Sequence, residues 1–474
     1  MDKESNFVLS RRGALGALGG AVALGFASKA FAQTTNSDAD QANELLLRGG
    51  YILSMDPALG DLEIGDVHIR DGEIIEIAPE IAAPGAMVID ARNTVVMPGF
   101  VDTHWHMWNS TWRGMANDAS AYFALRGLGA VYTPEDHYAA LKYAALDAIN
   151  AGFTTTHNWA HGVDSVEDAE AELQALREIG IRAKLGLPAL LGGEPTTREQ
   201  IQRLLDWIAE NGEGRLGLGM ILDGAGDALA ERIELARSLK LRPITDHSGT
   251  IARPDLLGPE MLYTHGTDVT PEQIAVIVET GIGVALCPGT DPMIGAGLPP
   301  IHALLAGGVP LSQISMTLDV TAQTPTDPFS MLRTIVDAGR IQQANNTNLR
   351  AVAQAAPDWL LSYRDALAIG TSSGANVLGL GDQVGTLAVG KRADIITVRM
   401  DAINMMPAPN TNKTYLLVQN GLPSNVDTVI VDGRVRKQAG TLVGVDVADV
   451  VAQAAASQEA VRQRANLPPL DASL

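Results

Sequence analysis

The sequence predicts an α/β fold: a (β/α)8 TIM barrel with a small β-sandwich domain formed by both ends of the chain. Three observations carry this expectation. Between residues 95 and 345, eight short apolar runs of strand character are separated mostly by helix-like segments, the pattern of a parallel sheet wrapped by helices. Six of the nine histidines fall at or just past the ends of those runs, and in a parallel barrel those ends share one face. On either side of this region the pattern becomes short alternating strands with Asp-Gly turns.

In chain order, the first segment is not fold. Ser10-Arg11-Arg12-Gly13-Ala14-Leu15 sets two adjacent arginines before an apolar, Gly/Ala-rich run that reaches Phe26, and Ala30-Phe31-Ala32 offers a small-residue cleavage site. Residues 1–32 therefore read as a twin-arginine-type signal peptide, with Lys29 favouring that route over general secretion. The expected location is periplasmic or exported. Removing four basic and two acidic residues with this segment shifts the net charge from −21 to near −23.

Residues 33–95 and 380–445 are expected to build the composite β-sandwich domain. Its strands are 44–53, 66–70 and 73–77 from the first half, and 385–387, 393–398 and 426–431 from the second. Asp71-Gly72 and Asp432-Gly433 are the hairpin turns, because both central residues of such a turn need positive φ. His68 sits in a strand and reads as a packing or surface residue.

Residues 96–379 form the barrel. Its strands end at His104/His106 and His157, then span 182–187, 216–222, 242–247, 261–265, 283–287 and 314–319. Helices are expected at 134–150, 165–179, 197–210, 227–240, 271–280 and 364–378. Thr133-Pro134-Glu135-Asp136 and Thr270-Pro271-Glu272 are strong helix starts, with threonine as cap and proline in the first turn. About a dozen residues, two of them prolines, separate the fifth and sixth strands, too few for a full helix. Residues 446–474 read as a terminal helix and tail.

Composition narrows the function. With 46% hydrophobic and 19% charged residues the chain is ordinary globular protein. Its acidity opposes binding to nucleic acid or to anionic membrane surfaces. Cys287 is the single cysteine, which excludes an internal disulfide and a cysteine-rich zinc site. It reads as a small buried residue.

The chemistry starts at Val96-Met97-Pro98-Gly99-Phe100-Val101-Asp102-Thr103-His104-Trp105-His106. Residues i and i+2 of a strand share a face, so His104 and His106 project together, close enough for one metal ion. His157, His161, His247 and His265 fall at other strand ends, as does Asp319. An aspartate facing a histidine-bound metal can ligate it and take a proton from bound water. Trp105, Trp108, Trp112 and Trp159 cluster near the expected mouth as an aromatic wall, with His161 or Arg113 as polar contacts for substrate. His137 and His302 fall in helical segments and read as incidental.

Pro98-Gly99-Phe100-Val101-Asp102-Thr103-His104-Trp105-His106 resembles the first barrel strand of the metal-dependent amidohydrolase superfamily. The resemblance continues through His247, Thr264-His265-Gly266, Cys287-Pro288-Gly289-Thr290-Asp291, Asp319 and the closing strands around Val384-Gly385-Thr386-Leu387 and Val426 to Gly433. The chain is most similar to the cytosine deaminase-like and chlorotriazine hydrolase-like branch. The resemblance implies His104, His106, His247 and Asp319 as ligands of one divalent metal, with zinc expected and iron or manganese as alternatives. It implies Asp319 as proton acceptor and His265 as the group that orients water and steadies the oxyanion. The reaction implied is hydrolysis of a C–N bond in a small molecule: an amide, cyclic amide or aminated ring.

One departure changes the reading. That branch usually carries His-x-x-Glu after strand five, whereas this chain has His247-Ser248-Gly249-Thr250. Threonine cannot protonate a ring nitrogen, so Asp223 or Asp291 stands in, or the substrate needs no such proton. Ester hydrolysis or decarboxylation on the same metal is the alternative, and a non-catalytic metal- or solute-binding protein a further one. Lys184 reads as structural, which leaves one metal rather than a lysine-bridged pair. The partner expected is a small-molecule substrate, without stable membrane association. A homo-oligomer is compatible with the sequence.

Overall fold

The structure is a computed structural model that describes residues 43–115, 119–247, 250–345, 358–406 and 411–467. The expected signal segment 1–32 and the end of the tail lie outside the described residues.

Eight parallel strands form the barrel: Phe100–Val101, Phe153–Trp159, Arg182–Pro188, Leu216–Ile221, Ile244–Asp246, Met261–Thr264, Gly283–Leu286 and Ile314–Met316. Every strand follows its sequence neighbour around the sheet. Closure between first and last strands is made beyond their regular parts, where Trp105 bridges Asp319. There Asp319 N–H donates to His104 O at 3.0 Å and His106 N–H to Asp319 O at 2.8 Å. Asp102, fully buried, ties the same seam by accepting from Leu318 N–H at 2.8 Å and Thr156 Oγ1 at 2.7 Å. Gly99 permits the close start of the first strand, since a Cβ there would lie 2.2 Å from the Thr154 side chain.

The expected helices are present as Pro134–Ala151, Val166–Ile179, Arg198–Asn211, Leu229–Ser238 and Pro271–Thr280. Ser165, Thr197 and Thr270 each cap a helix in reciprocal capping boxes, and at Thr133 the Asp136 carboxylate accepts from the N-cap N–H. Strands five and six are joined by two 3-10 turns, Thr250–Ala252 and Pro254–Leu256, instead of a helix. The expected helix 364–378 is two pieces, Tyr363–Ile369 and Ser372–Val377. They break at Gly370, whose carbonyl accepts from Val101 N–H at 2.9 Å. The second piece plugs the barrel floor, with Ala375, Val377 and Leu378 packed on Val101, Leu262 and Ala285.

A second sheet unites both ends of the chain. Its nine strands run from Thr441–Leu442 through Arg434–Gln438, Val426–Val431, Ile395–Arg399, Thr94–Pro98, Glu44–Leu53 and Asp61–Arg70 to Glu73–Ala78, with Met87–Asp90 beside Glu44–Leu53. The halves meet where Thr94–Pro98 pairs antiparallel with Ile395–Arg399. That seam leads directly into the His104 strand. Both Asp-Gly turns are left-handed, with φ of 51° and 81° at Asp71-Gly72 and 54° and 75° at Asp432-Gly433. Its separate core gathers Leu45, Ile52, Val67, Ile69, Val96 and Ile395 among others. His68 is buried in this sheet and bonds Glu44 Oε1 at 2.7 Å.

The expected strand 385–387 is not one. Gly385 turns at φ 90°, and Leu387 instead inserts as a core side chain while its N–H donates to Ser54 O at 2.7 Å. A buried ion pair bolts sheet to barrel: Arg182 donates from Nε and Nη2 to both oxygens of Asp394, at 2.8 and 3.0 Å. Among the described residues no helix is long and apolar enough to cross a membrane.

Candidate metal and active site

The ends of the barrel strands deliver side chains to one mouth, and the structure brings most of the expected ones together there. His104 and His106 leave the first strand with both side chains buried. Their ring centroids are 4.8 Å apart, and His104 lies 5.2 Å from His247 and 5.9 Å from His265. Asp319 faces them: its Oδ1 is 3.2 Å from His104 Nε2 and 3.3 Å from His106 Nε2. Ligand atoms of His104, His106 and Asp319 lie within 4.8 Å of one another, as do those of His104, His247 and His265.

Two strand ends are turned sharply to do this. His265 has φ 68° and Asp319 φ 51°, both in the left-handed region. Such residues are uncommon and persist where surrounding bonds hold them. Here His265 N–H is tied to Ala285 O at 2.9 Å, and the Asp319 backbone is bonded on both sides to the His-x-His segment.

Each outer imidazole is held by a carboxylate or a second ring. His247 Nδ1 lies 2.6 Å from Asp223 Oδ2, His265 Nδ1 2.7 Å from Asp291 Oδ1, and His106 Nδ1 2.8 Å from His161 Nδ1. Fixing Nδ1 aims Nε2 inward, the arrangement of metal-binding histidines. The donor set fits a divalent cation on one further ground: among the described residues neither ring nitrogen of His104 has a hydrogen-bond partner, although both are buried. A buried imidazole without partners is costly, and its Nε2 approaches a carboxylate oxygen without a hydrogen bond, as two lone pairs do around a shared ion.

Electrostatics follow from the packing. Burial holds His104 well below the ordinary histidine range, and lowers His106 as well. Burial pushes Asp319 up, but the charge of His265 and the contacts of His104 and His106 outweigh it, keeping the carboxyl well below its usual range. His265 is opposed by burial yet raised to about 9 by Asp319 and by its bond to Asp291. Burial raises Asp291 against its bond to His265. Deep in the barrel, burial lowers His157 to about 4, and its Nδ1 lies 2.9 Å from Thr103 O.

The remaining expected contacts land elsewhere. All four tryptophans are almost wholly buried, at 0 or 1% exposure, so they are core and not an open wall. Trp159 reaches the site, with its ring 4.3 Å from His104 and 4.4 Å from His247. Trp108 packs edge-on against Tyr132 and His161. His161 stands behind His106 as its Nδ1 partner. Arg113 turns to the flanking helix, where Nη2 donates to Asp147 Oδ2 at 2.9 Å. Asp291 is beside the centre, but its Oδ1 is committed to His265. His137 is not incidental: its Nδ1 lies 2.8 Å from fully buried Glu172, which also accepts from Asn158 Nδ2 at 2.6 Å. Sequence reasoning saw Asp223 only as a stand-in acid. Its place just after the fourth strand, like the other site residues, was the available signal for a role beside the centre.

An eight-stranded parallel barrel with histidines and an aspartate converging at its strand ends defines a metal-dependent hydrolase architecture. The chain belongs to the amidohydrolase family, whose sequence model matches residues 95–222 and 246–436. It is 28% identical over 450 residues to a 5-methylthioadenosine/S-adenosylhomocysteine deaminase of Desulforudis audaxviator, covering 86% of this chain and 97% of that protein. It is 27% identical over 454 residues to a 5'-deoxyadenosine deaminase of Methanosarcina mazei, covering 89% and 99%. Its fold matches an adenosine deaminase from Xanthomonas campestris with bound zinc, with a TM-score of 0.74 at 21% identity over 88% of this chain and 98% of that one. A mutant atrazine chlorohydrolase from Arthrobacter aurescens, complexed with zinc and atraton, matches with a TM-score of 0.75 at 19% identity over 87% and 99%. The protein is a hydrolase of small-molecule C–N bonds other than peptide bonds.

Proposed function

We propose a single-metal hydrolase in which His104, His106, His247 and Asp319 hold the ion and His265 and Asp319 act on the reacting groups. The observation that carries this is the convergence of His104 Nε2 and His106 Nε2 on one oxygen of Asp319. A divalent ion bound by these groups, zinc first and iron or manganese as alternatives, supplies Lewis acidity that brings water toward ionisation near neutral pH. Asp319, held ionised by its neighbours, accepts the proton of the attacking water and passes it to the leaving nitrogen. His265, with 24% of its side chain exposed to the mouth, steadies the negative charge that develops on the substrate. Asp291 holds that ring in place, and Asp223 does the same for His247.

The substrate reading turns on Thr250. Its Oγ1 donates to Asp246 Oδ2 at 2.9 Å and its N–H to the same oxygen at 2.6 Å, so the residue closes a turn. Asp223 directs both oxygens to His247 and Asp291 directs Oδ1 to His265, which weighs against either standing in for the missing glutamate. This supports cleavage of an amide, cyclic amide or ring substituent that needs no proton on a ring nitrogen. The second reading, deamination of an aminated purine, is favoured by what the relatives' names say they act on. Ammonia release from the zinc-loaded protein across amides and aminated purines separates them. Turnover confined to the purines would overturn the first reading, and absence of bound metal with no rescue by zinc or manganese would overturn both. We further propose export to the periplasm on the strength of Arg11-Arg12 and Ala30-Phe31-Ala32; fractionation of cells with and without Arg11→Lys/Arg12→Lys tests it.

A further inference from the structure

The seventh strand, Gly283–Leu286, delivers Cys287 into the base of the same mouth, fully buried. Its Sγ, a ring nitrogen of His265 and a carboxylate oxygen of Asp319 all lie within 4.8 Å of one another. Because His265 Nδ1 faces Asp291, the nitrogen left to a ligand is Nε2. Behind this trio sits Asp291, also fully buried, whose Oδ2 has no hydrogen-bond partner among the described residues. The Asp319 carboxylate beside the thiol and the buried Asp291 carboxylate make a setting that attracts a cation. The mechanism above gives Cys287 no task, and the thiol sits too close to two working side chains to be neutral filling.

We propose that His265, Cys287 and Asp319 form a second, inhibitory subsite for a thiophilic divalent cation, zinc in excess or cadmium, which shares Asp319 with the resident ion. One nitrogen, one sulfur and one oxygen donor suit such ions and not magnesium or calcium. As the metal–sulfur bond forms, the thiol proton leaves to solvent, joined by the Nε2 proton of His265 wherever that ring is protonated, with no change of oxidation state. Binding here takes the Nε2 nitrogen of His265 and engages Asp319, so turnover stops. Only the inhibitory part rests on the function proposed above; occupancy does not.

The single cysteine makes the test unambiguous. Protein carrying one equivalent of zinc is titrated with cadmium chloride while the ultraviolet thiolate-to-cadmium charge-transfer band and proton release are followed. The band should grow to saturation at one cadmium per chain with the zinc retained, and be absent in Cys287→Ser. Excess zinc should inhibit the wild type at concentrations about 10-fold or more below those needed for Cys287→Ser, each normalised to its own activity at one equivalent. No band at saturating cadmium in the wild-type protein overturns the proposal, whatever the variant does. Loss of one zinc per cadmium as the band grows also overturns it, because the thiol would then belong to the first site. If no substrate is found, the band and stoichiometry still decide.

Discussion

Asp223→Ala tests whether the carboxylate behind His247 sets metal affinity. In the structure Asp223 Oδ2 is 2.6 Å from His247 Nδ1, and Oδ1 accepts from His247 N–H at 3.4 Å. Burial alone would raise this carboxyl, but its bond to His247 and that ring's charge hold it below the usual range. The alanine leaves the imidazole free to rotate and less basic at Nε2. Losing such an outer partner weakens metal binding about 10- to 100-fold, or about 1.4–2.7 kcal/mol. Asp223→Asn keeps an acceptor without the charge and should fall between. Asp291→Ala is the matched control, because it releases His265, which is not among the four ligands. It should depress turnover while leaving the resident ion's affinity unchanged. Competition for zinc against a chromogenic chelator measures all three. Wild-type affinity in Asp223→Ala, or an equal loss in Asp291→Ala, would refute the division of labour between the two pairs.

Three other outcomes are expected. His106→Ala and Asp319→Asn should each abolish turnover with far-ultraviolet circular dichroism unchanged, and retained activity in either would contradict the assigned centre. Asp394→Ala strands the Arg182 guanidinium, which is 1% exposed, and should cost about 3–5 kcal/mol in denaturant unfolding; an effect below about 1 kcal/mol would show that Asp432 alone suffices. The His137–Glu172 pair should make stability pH-dependent. Burial lowers the His137 pKa, but the bond to Glu172 and the charges of Asp168 and Asp136 more than offset it, so the folded value is raised. A raised folded value means the contribution is full below the unfolded pKa of about 6.5 and is lost as pH rises through the folded pKa. Urea midpoints of wild type minus His137→Gln should therefore shrink on the alkaline side of that value, and a difference that grew with pH would reverse the sign.

The eight strands and the candidate metal centre were legible because each is written locally. Strand runs end in histidine or aspartate, and Thr-Pro or Ser starts mark the helices. Packing between distant segments was not legible. Four tryptophans near the mouth read as a wall because sequence places them close to strand ends but does not say which way a loop folds back. The structure turns them inward, with Trp105 Nε1 donating to Thr321 Oγ1 at 3.1 Å from more than two hundred residues away. Arg113 likewise found Asp147, and His161 found His106, through contacts no spacing encodes. The segment 385–387 looked like a strand because Leu387 is apolar, but its burial is that of a loop side chain dropped into a core.

The terminal helix Val447–Arg464 lies against the loop that follows the His-x-His strand. Gln458 Nε2 donates to Thr111 O at 2.6 Å, Arg464 Nε to Val131 O at 2.9 Å, and Ser457 Oγ to Asp136 Oδ1 at 2.6 Å. A nascent chain stopped before residue 447 would hold every proposed metal ligand yet lack the brace on its own entrance. The last described helix thus steadies the segment between the His-x-His strand and the helix that follows it, and its loss would free that segment without removing any proposed metal ligand.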